Sequence, residues 1–315
     1  MEFSPLANPL ATVAQLETSN SQFDGLPADL EKSIRFAGAR LTQAAGILLR
    51  LPQEVIAQAI LIFMRYWLGP EAGSLHHDPA DVVSAASIYL AAKTSAYQKS
   101  ARSVINVYAF LDSIPTTYTD LSQLPEGVPY VSESTYTTRK RRLFSVEVEV
   151  LESIGFQITF TLPYTLCFTY LQALDAFTYP RGQHLARRAM AHLNTGLLSP
   201  QFLYLTHQPH ALAVAAIYLA AREVGVKLPG VEWWEVFDVD REELGFLVVG
   251  FLSVGTFAAE EKKYWGTRKV PMTVAELDEE LDVRRVSSGN ASLEVDAPQN
   301  SSTGVSQSGS PVGEC

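Results

Sequence analysis

Apolar residues recur along the middle of this chain three or four positions apart, the spacing of amphipathic helices. Residues 40–50 read RLTQAAGILLR and place Leu41, Ala44, Ala45, Leu48 and Leu49 on one stripe. Pro52 suits the first turn of a following helix, about 53–68, with Val55, Ile56, Ala59, Ile60 and Phe63 on one face. Asp78-Pro79 pairs an N-cap with a proline at the first helical position and predicts a helix to about residue 96. Between residues 82 and 92 that helix has no charge. A helix apolar on every side is a buried one. Further helices are predicted near 101–110 and 134–155. Within the latter, Val146-Glu147-Val148-Glu149-Val150 alternates with period two, as a strand does. Leu143, Glu147, Leu151 and Ile154 also share one helical face, and no strand partner lies nearby, so a helix is preferred.

The chain repeats itself. Ile88-Tyr89-Leu90-Ala91-Ala92 returns as Ile217-Tyr218-Leu219-Ala220-Ala221. A basic residue follows each copy, Lys93 or Arg222, and a proline precedes each, Pro79 or Pro209. This shared context points to duplication of a helical unit of about 100 residues. Small alanines let neighbouring helices pack closely round a central one. The second copy predicts helices near 163–176, 183–198, 209–224 and 241–257. Trp233 and Trp234 fall in a short helix or turn between the last two, where such large rings suit core or lid packing.

Composition narrows the class. The chain has 315 residues, enough for about two domains, and 47% hydrophobic residues, enough for substantial cores. Residues 1–30 read as an extended arm. Residues 287–315 hold eight serines and almost no large apolar groups, so they are expected to be disordered. A net charge of −10 lacks the basic footprint of a nucleic-acid binder. Cys167 and Cys315 make no disulfide framework and suit a reducing compartment. The N-terminus has no apolar run of the secretory kind. Residues 153–174 carry no formal charge over a length that could span a bilayer. They also contain Gln157, Pro163 and Gln172 across a helix–turn–helix junction, which favours a soluble core.

Candidate chemistry is sparse. No Gly-rich phosphate loop, kinase motif set or nucleophile elbow is present. His76-His77-Asp78 lacks a third metal ligand nearby and reads as a loop capped by Asp78; His207 and His210, either side of Pro209, read the same way. Arg139-Lys140-Arg141-Arg142 is a nuclear-targeting run, a contact for an acidic partner, or a solvated helix face. Ser310-Pro311 fits a proline-directed phosphorylation site. Two charges are placed oddly. Lys93 ends an apolar helix, where a cation suits the helix dipole. Glu147 interrupts an apolar face, and a partly buried charge needs a partner. An internal Lys93–Glu147 salt bridge and a role in binding another protein are compatible.

Several motifs, in order, resemble the cyclins, and cyclin L in particular. They are Asp24-Gly25-Leu26, then LTQAAGILLRLPQ from Leu41 to Gln53, Val104-Ile105-Asn106-Val107, LESIGF from Leu151 to Phe156, Tyr170-Leu171-Gln172, Gln208-Pro209 leading to IYLAAR, and Leu228-Pro229. The resemblance spans about residues 24–257 and implies an all-α fold: two tandem cyclin-box five-helix bundles with flexible N- and C-terminal tails. It implies an arm at 1–30, a kinase-binding first box at 31–160, a second box at 161–258 and an extension at 259–315. Lys93 and Glu147 fall where the family places a charge pair beside the kinase C-helix. Phe156, as aromatic anchor, and Leu151 complete the expected kinase-binding set.

The function so implied is that of a nuclear regulatory subunit. It binds and activates a cyclin-dependent kinase in RNA polymerase II transcription and pre-mRNA processing. No catalytic residue, cofactor, metal, small-molecule substrate, membrane or direct nucleic-acid contact is expected. The alternatives are another transcription-type cyclin, of the T, K or C kind, or a TFIIB-like factor using the same helical repeat. The zinc ribbon usual in the TFIIB family is absent, since no cysteine precedes Cys167. Two departures stand out: Thr94-Ser95 replaces the glutamate usual after the lysine, and the serine-rich tail has no Arg-Ser run, which leaves the splicing role open.

Overall fold

Prolines set the start of five helices in the computed structural model, which describes residues 7–69, 71–114, 130–230 and 232–294, with side chains to 286. Two short helices, α1 (Val13–Glu17) and α2 (Asn20–Phe23), lie in the expected arm. α3 (Ala28–Leu48) starts after Pro27, α4 (Gln53–Tyr66) after Pro52 and α5 (Ala80–Thr94) after Pro79. α6 (Ala101–Asp112) and α7 (Glu133–Ser153) complete a first group of five. α8 (Tyr164–Ala173), α9 (Gly182–Gly196), α10 (Leu203–Thr206), α11 (Pro209–Val224) and α12 (Arg241–Trp265) form the second, with a short 3-10 helix at Trp233–Phe237. All the regular elements among the described residues are helical. The chain forms two compact units, Met1–Val274 and Ala275–Cys315. α13 (Val274–Glu294) is the described helix of the latter. Pro115, Pro125, Gly127 and Pro129, Ser310-Pro311 and Cys315 lie outside the described residues.

The duplicated segments are the two central helices. α5 packs against α3, α4, α6 and α7; α11 packs against α8, α9 and α12. Ile88 and Ile217 have no exposed surface, and the alanines around them are buried, as the repeat predicts. In the first bundle glycines bring α3 equally close to α4. A Cβ at Gly38 would lie 2.3 Å from Phe63 Cζ, and one at Gly46 2.5 Å from Ile56 Cγ1. Composition gave no hint of a polar chain in this core: Thr42 Oγ1 lies 2.7 Å from Ser84 Oγ, which lies 2.6 Å from the Tyr108 hydroxyl. Each hydroxyl satisfies the next, which removes the penalty of an unpaired buried polar group.

The structure corrects several details. Asp78 does not cap α5; its Oδ2 accepts a hydrogen bond from Ser74 N at 3.1 Å, and Pro79 takes the cap position without a side-chain bond. The stripe of Leu41, Ala44 and Leu48 is only half-buried. Leu30, Ile34, Ala37 and Ala45 form the deeper face of α3, and Leu49 at its C-cap is buried as well. Residues 153–174 do form the expected helix–turn–helix junction, with the end of α7, a non-helical linker and α8. Among the described residues, α12 is the helix long and apolar enough to cross a membrane by length and composition. It continues past residue 258 to the fully buried Trp265, and Leu244, Leu247, Phe251 and Val254 turn inward.

Side-chain amides tie the two bundles together. In the linker, Phe160 N donates to Gln58 Oε1 at 2.9 Å, and Gln58 Nε2 donates back to Phe160 O at 2.5 Å. On the other edge, Thr161 N donates to Asn8 Oδ1 at 2.7 Å and Asn8 Nδ2 to Thr161 O at 2.9 Å. The Asn8 backbone also exchanges two bonds with the side chain of Gln208, at 2.9 and 3.0 Å. Each amide thus acts as a one-residue β-partner for an extended backbone that has no sheet to join. Residues 7–11 are consequently a strap on the second bundle, with Ala11 N bonded to Leu205 O at 2.7 Å.

Candidate interaction face on helices α5 and α7

α5 and α7 pack side by side and bring together two charges 54 residues apart. Lys93 Nζ donates to Glu147 Oε1 at 2.9 Å. The helix that carries Lys93 is buried up to Ala92, and the charge emerges only in its last turn. The Lys93 side chain is 57% exposed and that of Glu147 only 10%. The hydrogen bond from Lys93, and then the Glu147 charge, hold the Lys93 ammonium above its ordinary pKa. Lys93 therefore stays ionised at neutral pH. Three of the four expected kinase-binding residues, Lys93, Glu147 and Leu151, therefore share one face of the α5–α7 pair.

Helical spacing explains what surrounds them. Phe144, Glu147, Val148 and Leu151 are three or four residues apart and fall on one side of α7. Val146 and Val150 turn into the core, whereas Val148 is 52% exposed. The period-two alternation therefore sits on a helix whose outer edge is apolar. The Phe144 ring stacks on Tyr89 of α5 at 5.9 Å, and Lys93 Nζ lies 5.7 Å from the Tyr89 ring centroid. Sequence reasoning missed Tyr89, Phe144 and Val148. Their signal was present as the spacing i, i+3, i+4 around Glu147, but the same pattern serves for core packing.

Phe156 is placed by the way α7 ends. Gly155, at φ 61°, follows the C-cap; Gly155 N bonds Glu152 O at 3.1 Å and Phe156 N bonds Leu151 O at 2.8 Å. That pair of bonds is the Schellman closure. Phe156 itself has φ 60° and is 68% exposed. A bulky residue in left-handed backbone, without burial to offset the strain, is unusual. Beyond it, a groove of about 540 Å³ opens between Glu54, Gln58, Thr94, Ser95, Phe160 and Tyr164. Where the family usually has a glutamate, Thr94 Oγ1 bonds Leu90 O at 3.1 Å and Ser95 Oγ bonds Ala92 O at 2.9 Å. Those hydroxyls finish α5 and supply no acid.

The second copy of the repeat lacks this site. Arg222 lies over Tyr218 at 5.8 Å, as Lys93 lies over Tyr89, but Tyr218 meets Trp234 edge-on at 5.9 Å. No acid occupies the Glu147 role there among the described residues. Two of the other candidates, His77 and His207, have local partners. His77 Nε2 lies 3.9 Å from Asp24 Oδ2, and His207 stacks on Phe246 at 5.2 Å with burial lowering its pKa. Burial pushes the Cys167 thiol up to about 12, which makes it a poor nucleophile.

Comparison with known proteins follows the same lines. No protein-family model matches the chain. It is 33% identical to cyclin-L2 of Mus musculus over 240 residues, 76% of this chain and 43% of that protein. It is 31% identical to cyclin-L1 of Gallus gallus over 252 residues, 80% of this chain and 44% of that protein. The chain thus spans less than half the length of these relatives. A chain of the yeast RNA polymerase II CTD kinase CTDK-1 complex shares its fold, with TM-score 0.61, 13% identity and coverage of 89% of this chain and 84% of that one. A chain of the CAK complex of Chaetomium thermophilum does so with TM-score 0.54, 14% identity and coverage of 88% and 84%.

Proposed function

This chain belongs to the cyclin family, and we propose that it binds a cyclin-dependent kinase through its α5–α7 face and holds that kinase in the active state. The observation that carries this reading is the Lys93–Glu147 pair in the first bundle alone, set beside the exposed apolar side chains of Phe144 and Val148 and the half-buried Leu151. An internal salt bridge needs no such surround. A kinase-binding face does: an apolar centre supplies affinity, and a fixed charge pair supplies register. Phe156 would add an aromatic anchor at the lower edge.

In this reading the chain needs no catalytic group of its own. An active kinase needs its strand lysine paired with the glutamate of the C-helix. A partner packed on that helix stabilises this arrangement only by binding it more tightly than the inactive one. Moving a kinase from almost wholly inactive to almost wholly active takes a preference of roughly 10⁴-fold. The complexes that share this fold include an RNA polymerase II CTD kinase, and the relatives are L-type cyclins. Those similarities favour a nuclear kinase acting in transcription and RNA processing.

The test is purification of the tagged chain from its own cells, with mass spectrometry of what accompanies it. A stoichiometric cyclin-dependent kinase, inactive until this chain is added back, is the expected result. Recovery of polymerase or DNA without a kinase would overturn the reading in favour of a TFIIB-like role.

A further inference from the structure

The basic run on α7 is not one patch. Arg139 turns to Asp112, with Nη2 3.4 Å from Oδ2. Arg142 lies on the side of Glu149, where both act on Tyr66. Lys140 and Arg141 point elsewhere. They precede Glu147 and Val148 by seven residues, two helical turns, and so lie on the same faces as these. Lys140 Nζ is 5.5 Å from the Phe144 ring centroid and 5.8 Å from that of Tyr136. Among the described residues, neither Lys140 nor Arg141 forms an ion pair, unlike Arg102 and Arg139 beside them. A chain of net charge −10 thus keeps two uncompensated cations where its apolar α7 surface begins.

We propose that Lys140 and Arg141 are the anion-reading end of the kinase-binding face and steer an acidic segment of the kinase onto α7. The inference rests on the kinase reading above and adds the chemistry of the partner. The helical rise sets Lys140 about 10 Å from Glu147 along α7. A kinase helix laid along α7 must therefore carry carboxylates about two turns from the point where it meets Lys93 and Glu147. Charges at the rim of an interface act mainly on the rate of encounter, while the desolvated centre governs dissociation.

The experiment uses the kinase identified above, purified and titrated against the full chain by stopped-flow at several salt concentrations. Lys140→Glu with Arg141→Glu is compared with Lys262→Glu with Lys263→Glu, an equal charge change on α12. The first pair should lower the association rate about tenfold at low salt, flatten its salt dependence and leave the dissociation rate within about twofold. The second pair should change none of these. Equal effects from both pairs, or a change confined to dissociation, would overturn the proposal. So would salt-dependent RNA binding lost in the first pair while kinase association is unchanged. Glu147→Arg separates the two levels. If it binds kinase normally, the face itself is misassigned; if it abolishes binding while the first pair associates at the wild-type rate, only the steering role fails.

Discussion

Lys93 and Glu147 are joined at 2.9 Å, but only Glu147 is buried by the fold itself. This asymmetry separates stability from recognition. Lys93→Ala leaves the buried Glu147 carboxylate without its cation and should lower folding stability by about 1–3 kcal/mol. Glu147→Arg and Lys93→Glu should each weaken kinase binding at least tenfold while the helical circular-dichroism spectrum and cooperative unfolding persist. A pull-down in which both variants retain the wild-type amount of kinase would count against the assignment.

Phe156 allows a test in which stability and binding move in opposite senses. Its left-handed backbone suits glycine, and its exposed ring contributes little to the core. Phe156→Gly should leave the unfolding midpoint unchanged or raise stability by up to about 1 kcal/mol. The same change should weaken kinase binding. Loss of stability together with unchanged binding would make Phe156 a core residue in solution and remove it from the site.

The helices and their order were legible because their signals are local. Prolines at helix starts and apolar spacing each act within a few residues, and the IYLAA repeat is read by comparing two short segments directly. What was not legible depends on chain far away in sequence. Residues 1–30 read as an arm because nothing nearby explains Asn8; its partners Thr161 and Gln208 lie more than 150 residues on. The polar core of Thr42, Ser84 and Tyr108 was hidden for the same reason, since serine and threonine in a helix say nothing of where their hydroxyls point. In the site, resemblance located Lys93 and Glu147, and the structure brought them together. Tyr89, Phe144 and Val148 were obscured because core and interface use the same apolar spacing.

Asn8 is the clearest case of a long-range clasp. Its side chain exchanges two hydrogen bonds with the Thr161 backbone, and the residue is 8% exposed. Asn8→Ala leaves both Thr161 groups without that partner and should lower stability by roughly 1–3 kcal/mol. Hydrogen exchange should quicken at Thr161 and across residues 7–11, whereas α5 keeps its protection. Asn8→Asp restores the acceptor but not the donor and should fall between the two. Uniformly faster exchange over the whole chain would show that the strap is not a separate unit.

Glu261 should make folding depend on pH with a sign opposite to that of most acidic residues. Its Oε1 accepts from Ser33 Oγ at 2.9 Å, joining α12 to α3, while Oε2 is buried without a hydrogen-bond partner. Burial, aided by the nearby charges of Asp29 and Glu260, raises its pKa above the ordinary 4.5. A carboxyl raised in the folded state holds its proton more tightly there than in the unfolded chain. Its contribution is therefore full below about 4.5 and is lost as pH rises through the folded-state value. Above that window the chain carries a buried charge for which Ser33 alone compensates. Glu261→Gln keeps the acceptor for Ser33 and removes the charge. The variant should resist urea better than wild type at pH 8, with an advantage that shrinks steadily toward pH 4. An advantage constant across that range would mean that Glu261 titrates normally and that water reaches it.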